Sequence, residues 1–185
     1  MTTIDRDLAY LRLAVPDLED FVLSKDLFWP LPGGVASLTS PGMNQLSLGG
    51  VLLCRARIAG LNGSLAGDLL HRMDKIRERW RSNWEKKAAR EFRSRVELWK
   101  KALEELLDPA KGAFSAYPSQ VQLRVMLELL GREFDASALP EAEVLRELDR
   151  RFKAGTQDGP FVWEPPLQDA FPAEIFWFLY RQRKS

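Results

Sequence analysis

Cysteine, histidine and β-branched residues are scarce in this sequence, and no long hydrophobic run is present. The single Cys54 excludes a disulfide-stapled scaffold, and the single His71 excludes metal motifs that need two histidines. The longest strongly apolar stretches, Val51–Cys54 and Ile175–Tyr180, fall far short of the roughly 20 residues that a membrane-spanning helix needs. The first residues lack the basic region and apolar run of a signal peptide. We therefore expect a cytoplasmic protein without membrane insertion.

The overall balance of residues fits one globular domain. The chain has 185 residues, of which 45% are hydrophobic and 29% charged, and this apolar content excludes intrinsic disorder. We find no internal repeat and no convincing domain boundary. We therefore expect a single helical domain over 1–185, with short N-terminal helices and loops in 1–63, a long helix in 64–107, and C-terminal helices with an aromatic tail in 112–185.

Residues that favour helices greatly outnumber those that favour strands. Leu and Ala together contribute 47 residues, whereas Val, Ile and Thr together contribute 17. Branching at Cβ restricts a side chain in a helix and suits a strand. The composition therefore predicts an all-α helical bundle of about five to seven helices around one long central helix.

The longest helical pattern runs from residue 64 to residue 107 and ends before Pro109. Its apolar positions have a mean spacing of 3.7, close to the helical repeat of about 3.6. These positions are Leu69, Met73, Ile76, Trp80, Trp84, Ala88, Phe92, Val96, Trp99, Leu103 and Leu106. An unbroken helix would be roughly 66 Å long, which exceeds the width of a small domain. Part of it would need a second body, so we expect a protein partner or a homo-oligomer.

The segment 45–61 admits two interpretations. Leu48, Val51 and Leu52 fit a helix in which Gly49-Gly50 lets a neighbour approach closely. The alternative is a β-hairpin that turns at the two glycines. We favour the helix. Further helices are expected at Leu8–Leu13, Asp17–Leu23, Pro118–Leu130, Pro140–Phe152 and Pro172–Tyr180, with a loop at Trp29–Gly34.

Positive charge is concentrated in one region although the net charge is only +1. Residues 72–101 carry twelve Lys/Arg against five Asp/Glu, whereas residues 102–149 carry four against ten. On a helical projection, the basic residues fall within one arc opposite the apolar row. This basic stripe consists of Arg72, Lys75, Arg79, Lys86, Arg90, Arg93, Lys100 and Lys101. It is typical of a solvated face or of one that docks on the chain's own acidic 102–149 region. The alternatives are a docking surface for a protein or second copy, and a contact with nucleic acid or an anionic membrane surface.

Aromatic residues form two groups. The row on the long helix, Trp80, Trp84, Phe92 and Trp99, predicts a core-facing side. The second group lies near the C-terminus, where it is expected to strap across the helices and complete the core. Exposure of this tail would instead make Phe176, Trp177 and Tyr180 a docking site for a partner.

No pattern of catalytic or ligand-binding residues stands out. Asp68, His71 and Asp74 could supply only half of a metal site, and Cys54 would need His71 as a base. The glycine pairs do not match a phosphate-binding loop. We therefore expect no metal and no cofactor, and we favour a non-catalytic role. An enzyme stays open as an alternative, and it would need carboxylates or arginines gathered in a pocket that only the fold can show. The favoured hypothesis is an interaction or assembly protein that docks through the long helix or the aromatic tail, and the alternative is a nucleic-acid-associated protein that uses the basic stripe.

Overall fold

The computed structural model describes residues 2–32, 43–60 and 66–184 and confirms an all-α bundle. The helices, in chain order, are α1 (Thr3–Ala14), α2 (Leu18–Leu23), α3 (Leu48–Gly60), α4 (Gly67–Arg79), α5 (Arg81–Leu107), α6 (Tyr117–Gln120), α7 (Gln122–Leu130) and α8 (Pro140–Gly155). Short 3-10 turns connect several of them. Among these helices, none is both long enough and apolar enough to cross a membrane.

Two small antiparallel ribbons complete the fold. Strand β1 (Trp29–Pro30) pairs with β2 (Gln45–Leu46), with Trp29 opposite Leu46. Strand β3 (Thr156–Asp158) pairs with β4 (Arg181–Arg183), with Thr156 opposite Arg183. The second ribbon ties the C-terminal segment to the end of α8.

Helix α5 lies at the centre of the bundle. Trp84, Phe92 and Trp99 are buried on its apolar side, as the helical spacing predicts. This side packs against α3, α7 and α8. Trp99 meets Phe152 of α8 edge to face, with ring centroids 5.7 Å apart. The aromatic row on the long helix is therefore part of one continuous core.

The predicted long helix is divided at Trp80 into α4 and α5. Trp80 leaves the helical conformation, with φ −113° and ψ 35°, although its N–H still donates to the Ile76 carbonyl. Its indole Nε1 donates to Oε1 of Glu19 at 2.7 Å, and this hydrogen bond anchors the junction to helix α2. Helix α4 then packs against α2, and α5 alone is roughly 40 Å long. The length of the helix therefore no longer requires a second chain. Residues 64 and 65 lie outside the described part.

The helical interpretation of 45–61 is confirmed, because α3 occupies most of this segment and no hairpin turns at the glycines. A β-carbon on Gly49 would lie 2.7 Å from Glu91 Oε1, so the glycine does permit a close approach by α5. Residue 61 lies outside the described part.

Several boundaries differ from the predictions. Helix α1 begins earlier than expected because Thr2 and Asp5 form a capping box at its first turn. The helical pattern predicted over Pro118–Leu130 is divided at Val121 into α6 and α7. The expected loop at Trp29–Gly34 contains strand β1, and residues 33 and 34 lie outside the described part.

The prediction of an α-helix over Pro172–Tyr180 is wrong. The segment forms turns and one 3-10 turn at Trp177–Leu179. Its apolar residues point to all sides of a would-be helix, and a regular helix would leave some of them in solvent. The irregular path buries Phe176 and Phe178 in the same core.

Candidate docking surface and buried polar clusters

The eight residues of the basic stripe are all exposed, three on α4 and five on α5. We call this set the basic face. Three of its members contact their own chain: Arg79 lies 3.5 Å from Glu19, Arg93 lies 3.8 Å from Glu141, and Arg90 donates to the Lys25 carbonyl at 2.8 Å. For the other five, the described part of the chain contains no ion-pair partner within 4 Å. The face therefore presents unneutralised positive charge.

An apolar groove adjoins the basic face. It has a volume of about 500 Å³ and runs between α5 and the α6–α7 segment. Its apolar lining includes Leu98, which is 44% exposed, and Met126. Lys101 and Glu105 stand at its polar rim. Lys101 belongs to both the groove and the basic face, so charged and apolar contacts are continuous there.

The C-terminal aromatic residues do not form an exposed docking set. Phe176 is only 3% exposed, and Trp177 and Tyr180 are half-buried. The Tyr180 hydroxyl donates to the Phe171 carbonyl at 2.8 Å, and the Lys153 ammonium lies 4.4 Å above the Trp177 ring. These contacts support the interpretation of the tail as a strap that completes the core, and they leave Phe176 inaccessible to a partner.

A buried carboxylate and arginine cap the N-terminus of α3, and we call this the Glu91 cluster. Glu91 accepts hydrogen bonds from the backbone N–H groups of Leu48 at 2.8 Å and Gly49 at 2.9 Å. Arg95 Nε donates to Glu91 Oε1 at 2.6 Å, and its Nη2 donates to Ser47 Oγ at 2.9 Å. The two groups neutralise each other and satisfy free amides of the helix end, so the cluster is a structural cap.

A second buried cluster lies near the C-terminal end of the same helix, and we call it the Asp7 cluster. Arg57, in the last turn of α3, is 3% exposed and stacks on the Trp163 ring at 4.4 Å. Its Nη1 lies 3.5 Å from Asp7 Oδ1, and its Nη2 donates to Gln122 Oε1 at 3.3 Å. Burial raises the pKa of Asp7 to about 6, and the attraction of Arg57 opposes this shift only in part.

Arg57 and Gln122 of the Asp7 cluster line one wall of a second cavity. This cavity has a volume of about 440 Å³ and lies between the start of α1, the end of α3, α6 and the C-terminal segment. Its lining includes Arg6, Arg57, Trp163 and Glu164. Buried arginine beside an aromatic wall is a common arrangement in sites that bind anionic molecules.

The two residues considered for nucleophilic chemistry lie in different surroundings. His71 is exposed on α4, whereas Cys54 is fully buried on α3. Burial also raises the pKa of the Cys54 thiol, which disfavours the reactive thiolate. In the ranges that the structure describes, no group of three or more His, Cys, Asp or Glu residues is arranged to hold a metal.

Both buried clusters escaped the sequence prediction because their residues are of types that are normally exposed. A signal was present for one of them. Glu91 and Arg95 stand four residues apart on the side of α5 that carries Ala88 and Trp99, so a helical projection places both charges among core positions. Asp7 and Arg57 have no comparable local signal.

No protein-family model, no curated protein and no solved structure matches this chain.

Proposed function

We propose that this protein is a non-catalytic cytoplasmic interaction protein that docks an acidic, amphipathic segment of a protein partner. The segment would place an apolar side chain in the groove between α5 and α7 and carboxylates on the basic face. The observation that carries this proposal is the position of Lys101, which joins the apolar groove to the exposed basic residues.

Charge complementarity favours an acidic partner. The basic face spans residues 72–101, and six of its eight cations have no ion-pair partner within the described ranges. Opposite charges across an interface accelerate association and suppress wrong partners more than they add affinity. The basic face would therefore steer the partner to the groove.

The groove supplies the affinity that exposed ion pairs lack. Exposed ion pairs contribute about 0.2–1 kcal/mol each, whereas an apolar side chain removed from water contributes about 1.5–3 kcal/mol. Leu98, Ala102, Leu123 and Met126 line the groove and could surround a leucine or phenylalanine anchor. Arg95 also lines it, but its guanidinium is already bonded to Glu91, which leaves Lys101 as the cation for a partner carboxylate.

One observation favours an acidic protein segment over nucleic acid. The large aromatics of α5, Trp84, Phe92 and Trp99, are buried and cannot stack on bases. Nucleic-acid binding is retained as an outcome of the test.

Fluorescence anisotropy with defined probes tests the proposal. The first probe is a labelled helical peptide with one leucine anchor among glutamates, and the second carries serine in place of that leucine. The third probe is a labelled DNA duplex. We expect the anchored acidic peptide to bind most tightly and the duplex to bind weakly. Leu98→Ser should weaken the peptide complex by about tenfold, the loss expected for about 1.4 kcal/mol.

Charge reversal provides the second arm of the experiment. The variant Lys100→Glu/Lys101→Glu should weaken the anchored peptide and reduce the salt dependence of its affinity. The control Arg12→Glu/Arg151→Glu makes the same change in net charge at exposed residues outside the basic face, and it should leave binding unchanged. Tighter binding of the duplex than of either peptide would replace the proposal with the nucleic-acid hypothesis. Equal effects of the two double variants would contradict it.

Self-association is tested separately by light scattering. A monomer that binds the anchored peptide agrees with the proposal. A dimer dissociated by Leu98→Ser would mean that a second copy of this chain occupies the groove.

A further inference from the structure

The cavity beside the Asp7 cluster has features that a purely structural contact would not require. Its volume of about 440 Å³ falls in the range of small-molecule sites, which is about 300–1,000 Å³. Pro118, Val162 and Leu167 form an apolar part of its lining. Arg6 and Arg57 form a cationic part.

Buried polar atoms without a hydrogen-bond partner gather at this cavity. Five such side-chain atoms occur in the described part of the chain, and two of them, Arg6 Nε and Arg57 Nε, belong to residues that line this cavity. A third, Asp7 Oδ2, belongs to the carboxylate that faces Arg57. An unsatisfied buried group costs about 1–3 kcal/mol. Native structures therefore hold few such groups, and two arginine nitrogens on residues that line one cavity indicate that a further bonding group completes the site.

The contacts of Arg57 show that the arginine is positioned but incompletely neutralised. Its distance of 3.5 Å to Asp7 is long for a charge-assisted hydrogen bond, which is usually about 2.7–2.9 Å. Trp163 holds the guanidinium plane from one side, and the Trp163 indole is itself fixed by a 2.8 Å hydrogen bond to the Pro118 carbonyl. A planar cation held in this way is suited to a planar anion.

We propose that this cavity binds a small molecule with one carboxylate and an apolar or aromatic body. The carboxylate pairs with Arg57 and Arg6, and the body packs against Trp163 and Leu167. Glu164 also lines the cavity and accepts a hydrogen bond from Thr3 Oγ1 at 2.7 Å. With Asp7 and Glu164 nearby, the site disfavours a doubly charged phosphate, whereas the two arginines disfavour a cation.

Asp7 competes with the ligand for Arg57 in this arrangement. An incoming carboxylate would take over the long contact that Asp7 now makes, so the two anions oppose each other. Removing the charge of Asp7 should therefore strengthen ligand binding, whereas replacing the planar guanidinium of Arg57 should weaken ligand binding. A merely structural role of the pair would not produce opposite effects on one ligand.

Calorimetry and NMR titration with four probes test this proposal. The probes are 3-phenylpropanoate, its neutral amide, the corresponding amine and inorganic phosphate. We expect 3-phenylpropanoate to bind with a dissociation constant of about 1 mM or tighter and to shift the Trp163 indole resonance. The amide, the amine and phosphate should bind at least about tenfold more weakly.

Three variants complete the design. Arg57→Lys removes the planar fork and should weaken 3-phenylpropanoate by about tenfold or more, whereas Asp7→Asn should tighten it. Arg6→Gln, at a half-buried residue, should weaken the carboxylate and carries the test if Arg57→Lys does not fold. Arg12→Gln, at an exposed residue of the same helix, is the matched control and should have no effect.

Three outcomes would overturn the proposal. The amide could bind as tightly as the carboxylate, the shifts could cluster away from Trp163, or no probe could bind at its solubility limit. A failure of the acidic peptide to bind the groove would not affect this proposal. The peptide experiment changes Leu98, Lys100 and Lys101, whereas the ligand experiment changes Arg6, Asp7 and Arg57.

Discussion

Both ends of helix α3 meet a buried carboxylate and a buried arginine, but the two clusters differ in how fully their polar atoms are bonded. At the N-terminal end, Glu91 makes three hydrogen bonds of 2.6–2.9 Å, to two backbone amides and to Arg95. Towards the C-terminal end, the Asp7–Arg57 contact is 3.5 Å long, and each residue retains a buried atom without a partner. The residue types are nearly the same, and the surroundings differ.

This difference separates a structural pair from a candidate binding pair. A buried ion pair contributes to stability only when its geometry is good and its remaining polar atoms are satisfied. The Glu91 cluster meets both conditions. Within the described residues, no buried side-chain polar atom of Glu91 or Arg95 lacks a hydrogen-bond partner. The Asp7 cluster meets neither, and it lies at a cavity.

The largest effect should come from removing the satisfied carboxylate. Glu91→Ala leaves two helix amides without their acceptor and Arg95 as a buried unpaired charge, so we expect a loss of about 3–5 kcal/mol in the free energy of unfolding. Urea denaturation measures this loss. Glu97→Ala, at an exposed residue of the same helix, should change stability by less than about 0.5 kcal/mol. Similar losses in the two variants would show that the Glu91 cluster is not a cap.

The Asp7 cluster should be recognisable by its pH dependence. The pKa of Asp7 in the folded protein, about 6, lies above its ordinary value of 3.8, so the folded state binds the proton more readily than the unfolded state. Its contribution to stability is therefore greatest below about pH 4 and is lost as the pH rises through 6, by up to about 3 kcal/mol.

Asp7→Asn should remove this part of the pH dependence. Urea denaturation at a series of pH values between 4 and 8 would show a flatter stability profile in the variant than in the original protein. Asp20→Asn, at an exposed residue of α2, is the control and should keep the original profile. If Asp7→Asn also kept that profile, the carboxyl group of Asp7 would not titrate as its burial implies.

A smaller effect is expected from crowding the satisfied cluster without changing its charges. Gly49→Ala would place a β-carbon 2.7 Å from Glu91 Oε1 and 2.9 Å from Arg95 Nε, which forces both side chains to shift. We expect a loss of about 1–3 kcal/mol, measured as a lower thermal midpoint. Gly67→Ala is the matched control, because a β-carbon there meets no atom within 4 Å. An unchanged thermal midpoint in Gly49→Ala would mean that the Glu91 cluster packs less closely against Gly49 than these separations of 2.7 Å and 2.9 Å imply.

The sequence predicted the parts of the fold that depend on local spacing. The helical repeat identified the apolar side of α5, and Trp84, Phe92 and Trp99 are indeed buried. The composition predicted an all-α bundle, and the glycine pair before Val51 was correctly assigned to a helix with a close neighbour. These predictions succeeded because each depends on residues within a few turns of one another.

The features that escaped prediction depend on residues that are distant in the sequence. The division at Trp80 coincides with a hydrogen bond to Glu19, 61 residues away. Arg57 and Asp7 are 50 residues apart, and Gln122 is a further 65 residues from Arg57. Only the folded topology brings these groups together, so neither cavity could be located from the order of residues.

Ser119 and Gln122 line both the apolar groove and the cavity beside Arg57. The Gln122 amide nitrogen donates to the Ser119 carbonyl at 3.0 Å, while its oxygen accepts from Arg57. Ser119 and Gln122 thus form a thin wall between the groove and the cavity, and the side-chain amide of Gln122 contacts the charged Arg57. An isotope label on the side-chain amide of Gln122 would report occupancy of either recess through a single signal.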